Sequence, residues 1–233
     1  MAFAAIQPAI TTTRMEIMSK TIVFSLILLL SASVATAEME ETIAFQGFEG
    51  TGSDDWSFVP DPEENDIGSD VWGTSTSVGF APNAITASSG SNFWAMRDLE
   101  GPSLTLDFES IDTSGFEAVE LSFDYNAFRY DSGDVLNYEL IIDGESQGIA
   151  TVFSGENNSF GGVSTDGWET ETISIGTASS VSLRLSATQS GNGDWAGWDN
   201  ISLVGTTAGI PEPMTAATFV IGLGLISRRR RAA

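Results

Sequence analysis

Two residue types are missing altogether: the 233-residue chain contains no cysteine and no histidine. Without cysteine no disulfide can brace an exported domain, so the fold must rest on its own hydrophobic core. Without histidine, the Ser-His-Asp and Cys-His nucleophile arrangements and every His-ligated zinc centre are excluded in one step. Positive charge is scarce too. Nine Lys and Arg stand against 32 Asp and Glu, a formal net charge of −23. Of the acids only Glu16 and Glu212 fall outside 38–209, whereas of the bases only Arg97, Arg129 and Arg184 fall inside it. No basic surface is left to displace phosphate counterions, which rules out nucleic acid as a partner. An excess of carboxylates favours solubility and divalent-cation binding and suits saline surroundings, where repulsion is screened. For most individual acids a solvated surface position is the simpler account. Internal repeats are absent, and Gly161-Gly162 and Gly222-x-Gly224 lack the strand and helix context of a phosphate loop.

The long hydrophobic run of a multispanning protein is also missing, but each end carries a short one. Thr21 to Leu30 (TIVFSLILLL) follows Lys20, and Ala35-Thr36-Ala37 has the small-x-small form of a signal-peptidase site, so residues 1–37 are expected to be a signal peptide cleaved after Ala37. Met15 and Met18 are alternative starts, since from Met18 the leader takes its ordinary form. At the other end, residues 210–233 hold Pro211-Glu212-Pro213, an apolar run from Met214 to Ile226, and Arg228, Arg229, Arg230 and Arg231. Thirteen apolar residues reach roughly 20 Å as a helix, short of the ~30 Å hydrocarbon core, which makes a marginal transmembrane anchor. The arginine cluster acts as a stop on the cytoplasmic side. The two prolines keep the preceding segment extended and open to an enzyme.

Pro-Glu-Pro, a short Gly/Leu-rich apolar segment and a terminal Arg cluster, in that order, resemble the PEP-CTERM sorting signal of Gram-negative bacteria. The resemblance implies transient membrane insertion of the tail, removal of the tail by an exosortase, and delivery to the cell envelope surface or the extracellular matrix.

Between the ends, residues 38–209 are expected to form one domain, and their hydrophobic period is two. Ile43 and Phe45 alternate with Thr42 and Ala44. Leu104, Leu106 and Phe108, then Leu121, Phe123 and Tyr125, alternate with polar residues in the same way. So do Tyr138, Leu140 and Ile142, Val181, Leu183 and Leu185, and the pairs Ile173 and Ile175, Ile201 and Leu203. Each run reads as a strand with one wet face, and Asp131-Ser132-Gly133-Asp134, Asp143-Gly144 and Gly191-Asn192-Gly193-Asp194 read as turns between them. The expected fold is all-β, a two-sheet antiparallel β-sandwich of jelly-roll type. Asp54 to Ser91 is polar and reads as a long loop with one or two short strands.

The opening Phe45-Gln46-Gly47-Phe48-Glu49-Gly50 and the closing Trp195-Ala196-Gly197-Trp198-Asp199-Asn200-Ile201 resemble the first and last strands of jelly-roll domains of the carbohydrate-binding-module and MAM type. The resemblance implies that the terminal strands are neighbours and that acids at their ends hold a structural Ca2+. By alternation Glu49 shares a side with Ile43 and Phe45, and Asp199 with Ile201 and Leu203, so both carboxylates are expected to point inward. A hard cation would compensate them, with Asp98 as third ligand. Backbone hydrogen bonds at a turn, or pairing with Arg97, would compensate them equally. Six tryptophans and three tyrosines can supply platforms for sugar rings. Alternation places Trp198, Phe128 and Tyr130 on the polar side, as candidate polysaccharide contacts; covering a sandwich edge is their structural alternative. The composition supports an exported, non-catalytic surface or matrix protein. A secreted glycan-active enzyme using a carboxylate pair is the alternative, with no pair singled out.

Overall fold

A computed structural model describes residues 38–67, 70–99, 103–157, 161–189, 191 and 193–208. The expected signal peptide and the C-terminal sorting signal with its apolar helix lie outside the described residues. Among those described there is no helix.

In chain order the strands are β1 (Met39–Gln46), β2 (Phe58–Asp61), β3 (Asn65–Ile67), β4 (Asp70–Ser75), β5 (Ser77–Val78), β6 (Ile85–Thr86), β7 (Phe93–Arg97), β8 (Leu104–Phe108), β9 (Ile111–Asp112), β10 (Ala118–Phe128), β11 (Val135–Ile142), β12 (Glu145–Ser154), β13 (Glu169–Gly176), β14 (Ser180–Thr188) and β15 (Trp195–Thr207). One sheet runs β13-β10-β15-β7-β4-β3, with β1 continuing the place of β7 along the second half of β15; the other runs β12-β11-β14-β8-β2, with β9 beside β14. β5 and β6 form a separate hairpin. Every described pairing is antiparallel. The all-β two-sheet sandwich expected from the alternation is therefore present, and Asp143-Gly144, both at positive φ, make the tight β11–β12 hairpin.

The core lies between the two sheets. β10 contributes Leu121 and Phe123, β15 contributes Ile201 and Leu203, and β14 faces them with Val181, Leu183 and Leu185, all fully buried. Its densest part is aromatic. Trp72 meets Trp94 edge to face at 5.1 Å and Trp198 at 6.1 Å, and Phe58 meets Trp94 at 5.4 Å. Such pairs stabilise beyond the area they bury, which suits a domain without covalent bracing.

Three expectations fail here, all for one reason. Trp198 and Tyr130, expected outside, are 0% exposed, and Asp199, although 0% exposed, lies on the face of β15 opposite Ile201 and Leu203 rather than beside them. Alternation holds only while the pleat is unbroken, and a left-handed residue or a bulge shifts it by one. In β15 the register against β10 slips between Ser122 and Asp124, and Asn200 sits at φ 48. Trp198 consequently joins Ala196 in the core, while Asp199 turns to the other face with Gly197 and Trp195. Arg129 at φ 58 does the same at the end of β10, sending Tyr130 into the core against Phe153. In β1 the slip between Thr42 and Ala44 puts Ala44 in the core and leaves Ile43 and Phe45 half-buried.

Asp54 to Ser91 also departs from its expected loop character, since it carries β2 to β6. These strands run from two to six residues, too short for a period to declare itself. Trp198→Ala is expected to destabilise the domain by about 3–5 kcal/mol in urea unfolding, the cost of truncating a large core aromatic. An exposed platform residue would change stability by less than about 0.5 kcal/mol.

Candidate functional site

The face of β15 turned away from the main core is covered. Trp195, Phe93 and Ala95 form a second buried cluster with Val78 and Ile85 of the β5–β6 hairpin, and Phe128 and Trp168 pack at its margin. Phe128 stacks on Trp195 with centroids 4.4 Å apart and planes at 21°. Exposed Phe80 meets Trp195 edge-on at 5.9 Å and carries the Arg97 guanidinium 4.3 Å above its ring. Gly79 explains the close fit: at φ +88 it takes a left-handed turn, and a Cβ there would fall 2.2 Å from the Trp195 ring.

The covering segment 77–92 is pinned by hydrogen bonds. The Trp195 indole N–H donates to Asn83 O at 3.0 Å, and the Trp168 indole N–H donates to Thr86 O at 2.8 Å. Ser88 and Ser89 backbone N–H groups donate to Asp199 Oδ2 at 2.8 and 3.1 Å, and Asn200 N–H donates to Oδ1 at 2.8 Å. Ser91 and Asn92 N–H groups donate to Glu49 Oε1 at 2.7 and 2.8 Å, while the Asn92 amide reaches Oε2. Beside Asp199, the Asp124 carboxylate accepts from Ser88 Oγ, Thr170 Oγ1 and Asn200 Nδ2. One loop thus bridges the opening and closing strands through their carboxylates.

Two hollows flank this loop. The larger, of 540 Å³, is bordered by Gln46, Glu49, Asp54, Phe58 and Asn92. Its acids are occupied: Asp54 accepts from the backbone N–H groups of Gly47 and Gly50, and Glu49 from the two donors above. The Asn92 and Ser91 N–H groups hold the Glu49 carboxyl below its usual range. The smaller, a groove of 380 Å³, lies between the hairpin, β10 and the loop before β13. Half-exposed Phe128 and Trp168 supply its rings, and Asn83, Thr86, Asn126 and Thr165 supply amides and hydroxyls. Among the described residues no carboxylate lines it. Thr165 Oγ1 donates to Asn126 Oδ1 at 3.0 Å and accepts from Ala127 N–H at 3.1 Å, so this wall is held in place.

Of the residues the sequence pointed to, Phe128 lies in the groove, whereas Trp198 and Tyr130 do not reach the surface. Trp168 is one of the six tryptophans able to supply a platform, and alternation does not single it out, although an aromatic at the exit of the polar stretch Ser164 to Gly167 is a usable signal. Glu49 and Asp199 are joined by the same loop, but backbone donors supply the compensation a cation was expected to give. Asp98 stands apart from them. At φ 54 it ends β7 and turns the following Leu99 into the core. Among the described residues the three carboxylates whose oxygens gather within 4.8 Å of one another are Asp131, Asp134 and Asp194.

No protein-family model and no curated protein matches the chain. Solved structures do match. The carbohydrate-binding module TmCBM61, in complex with beta-1,4-galactotriose, is 17% identical, with 68% of this chain and 93% of that chain covered and a TM-score of 0.38. The K3 cleaved adhesin domain of Lys-gingipain from Porphyromonas gingivalis w83 is 11% identical over 70% of this chain and 99% of that one, with a TM-score of 0.43. The Stig cyclase Fisc from Fischerella sp. TAU is 11% identical over 74% and 100%, with a TM-score of 0.44. Likeness at this level assigns neither ligand nor activity, and an enzyme stands among the matches beside two binding domains.

The carboxylates that pin the loop titrate in opposite senses. Burial pushes Asp199 up to about 6, against the opposing pull of the Ser89, Asn200 and Ser88 N–H groups. The folded state then holds this proton more tightly than the unfolded chain, whose aspartates titrate near 3.8. The Asp199 contribution is best below that value, is lost as pH rises towards about 6, and is level above it. Thermal unfolding is expected to show a decline of melting temperature across this window, shallower in Asp199→Asn than in the unchanged protein.

Proposed function

We propose that the chain is an exported, non-catalytic β-sandwich of jelly-roll type, sorted through its C-terminal Pro-Glu-Pro signal to the cell surface or extracellular matrix, where the Trp168 groove holds a neutral glycan. The observation that carries the glycan reading is the lining of that groove. In a domain crowded with acids it combines two half-exposed rings with amide and hydroxyl groups and has no carboxylate. A sugar presents one apolar ring face and a rim of hydroxyls. An indole takes the first by stacking, and Asn83, Asn126 and Thr165 answer the second with donors and acceptors. The groove's 380 Å³ falls within the usual range of small-molecule sites. Trp168 is held by its bond to Thr86 O and by an edge contact to Phe93 at 5.6 Å, so little freedom would be lost on binding.

A glycan-cleaving enzyme has weaker support. The hollow that contains two acids has them satisfied by backbone donors, and Glu49 is shifted down rather than up, opposite to what a general acid needs. The export reading rests on the two chain ends alone and stands apart from the groove.

On immobilised neutral polysaccharides the protein is expected to be retained. Trp168→Ala and Asn83→Ala should each weaken binding by about fivefold, the loss of a stacking contact or an amide hydrogen bond at roughly 1 kcal/mol each. Asn83 is an exposed side chain, so its variant should melt like the unchanged protein. Binding that ignores both variants, or retention on no neutral polysaccharide, removes the glycan reading and leaves export standing. Separately, fractionation of cells with and without 211–233, with mass measurement of the mature C-terminus, is expected to show tail removal and a changed location. Full-length protein in the cytosol with its four arginines attached removes the export reading.

A further inference from the structure

At the far end of β15 from Thr207, two turns bring three carboxylates together. Asp131 and Asp134 belong to the turn between β10 and β11, closed by the Asp134 N–H to Asp131 O bond at 3.0 Å and by the Asp131 N–H to Asp134 Oδ2 bond at 2.9 Å. β12 anchors the turn through the Gly155 N–H donating to Asp134 O at 2.8 Å. Asp194 enters from the start of β15. Phe128 pairs with Trp195 and Trp195 with Arg97, so one step further along both ladders Asp194 lies between Arg129 and Asp98. Asp134 and Asp194 are 1% and 7% exposed. Three acids this close, two of them buried, concentrate negative charge at this corner.

A second observation points the same way. The Tyr130 hydroxyl and both amide atoms of Gln189 are buried without a hydrogen-bond partner among the described residues. Both belong to this corner. Val135 pairs with Thr188, so the next step of the ladder sets Gln189 beside Asp134, and the Tyr130 phenol feels the charges of Asp134 and Asp194. Buried polar groups of this kind are nearly always satisfied, and an ion is one of the few partners that would account for oxygens left over beside gathered carboxylates. Among the groups gathered here, the oxygens are three carboxylates, one phenol and one amide oxygen. That is the donor set of a hard cation with many ligands, and a spread within 4.8 Å fits a shell of about 2.3–2.6 Å radius.

We propose that Asp131, Asp134 and Asp194, completed by the Gln189 amide oxygen and the Tyr130 hydroxyl, form a divalent-cation site of calcium type that locks the β10–β11 turn to the entry of β15. The ion neutralises the acids, gives the two orphaned side chains a partner, and fixes the end of the strand that carries Trp195.

The test uses the full chain, stripped with chelator and titrated with CaCl2 near neutral pH by calorimetry and thermal unfolding. Expected are one saturable site with a Kd of about 10⁻³ M or tighter, in the range of extracellular modules, and a melting temperature that rises with calcium. Asp194→Asn removes repulsion along with a ligand, so it should melt at or above the calcium-free protein and no longer respond to calcium. Should that variant fold poorly, half-exposed Asp131→Ala supplies the same readout. A melting temperature indifferent to calcium, magnesium and manganese overturns the site. So does an equal calcium response in the unchanged protein and both variants, which would mark diffuse binding to the acidic surface.

Discussion

The structure turns on a single backbone kink at Asn200. A strand in a two-sheet sandwich ordinarily buries one face and wets the other. β15 buries both of its faces near the start, with Ala196 and Trp198 pointing into the main core and Trp195 and Asp199 to the covered side, and the left-handed Asn200 then keeps Ile201 on the side of Trp198. Everything on the outer side follows from this. Trp195 needs cover, the β5–β6 hairpin supplies it, the loop that returns from the hairpin is tied down by Asp199 and Glu49, and the groove is the space left between that cover and β10.

Absence of covalent bracing and excess of acid impose a division of labour on the side chains. Stability comes from rings, four of the six tryptophans being almost fully buried in the main core. The acids are spread over edges and turns, where several serve as acceptors for backbone N–H groups: Asp54, Asp143, Asp199 and Glu49 each hold a loop in this way. Arg184 bonds Asp107 and reaches Glu139 across β14's neighbours, all on the wet face of the second sheet, where screening leaves such contacts weak.

Alternation made the two-sheet architecture legible wherever the pleat ran unbroken. The runs at Leu104 to Phe108, Leu121 to Tyr125, Tyr138 to Ile142 and Val181 to Leu185 all fall in described strands. It misled at Ile43, Asp98, Trp198 and Tyr130. In each case a bulge or a residue in the left-handed region lies at or beside the position, and Asp, Asn and Arg at those places carry no mark that tells a kink from a plain polar residue. β12 escaped notice because Glu145 to Ser154 lies at a sheet edge with both faces largely wet, so it has no apolar period to read. Of the groove, Phe128 was legible and Trp168 was not, since its contacts come from Thr86 and Phe93, far from it in the chain.

Met39 pairs with Thr207, so the described domain begins and ends side by side at one pole. β15 runs thirteen residues from there to Trp195, roughly 40 Å at ordinary strand rise. A tether leaving at Thr207 would hold the opposite pole outward like the head of a mast, with the Trp195 aromatic cluster and the neighbouring carboxylates foremost. Load applied through both ends would peel β1 from β15 one pair at a time, the weakest direction in which a sheet can be pulled, whereas attachment through one end alone leaves that ladder unstressed.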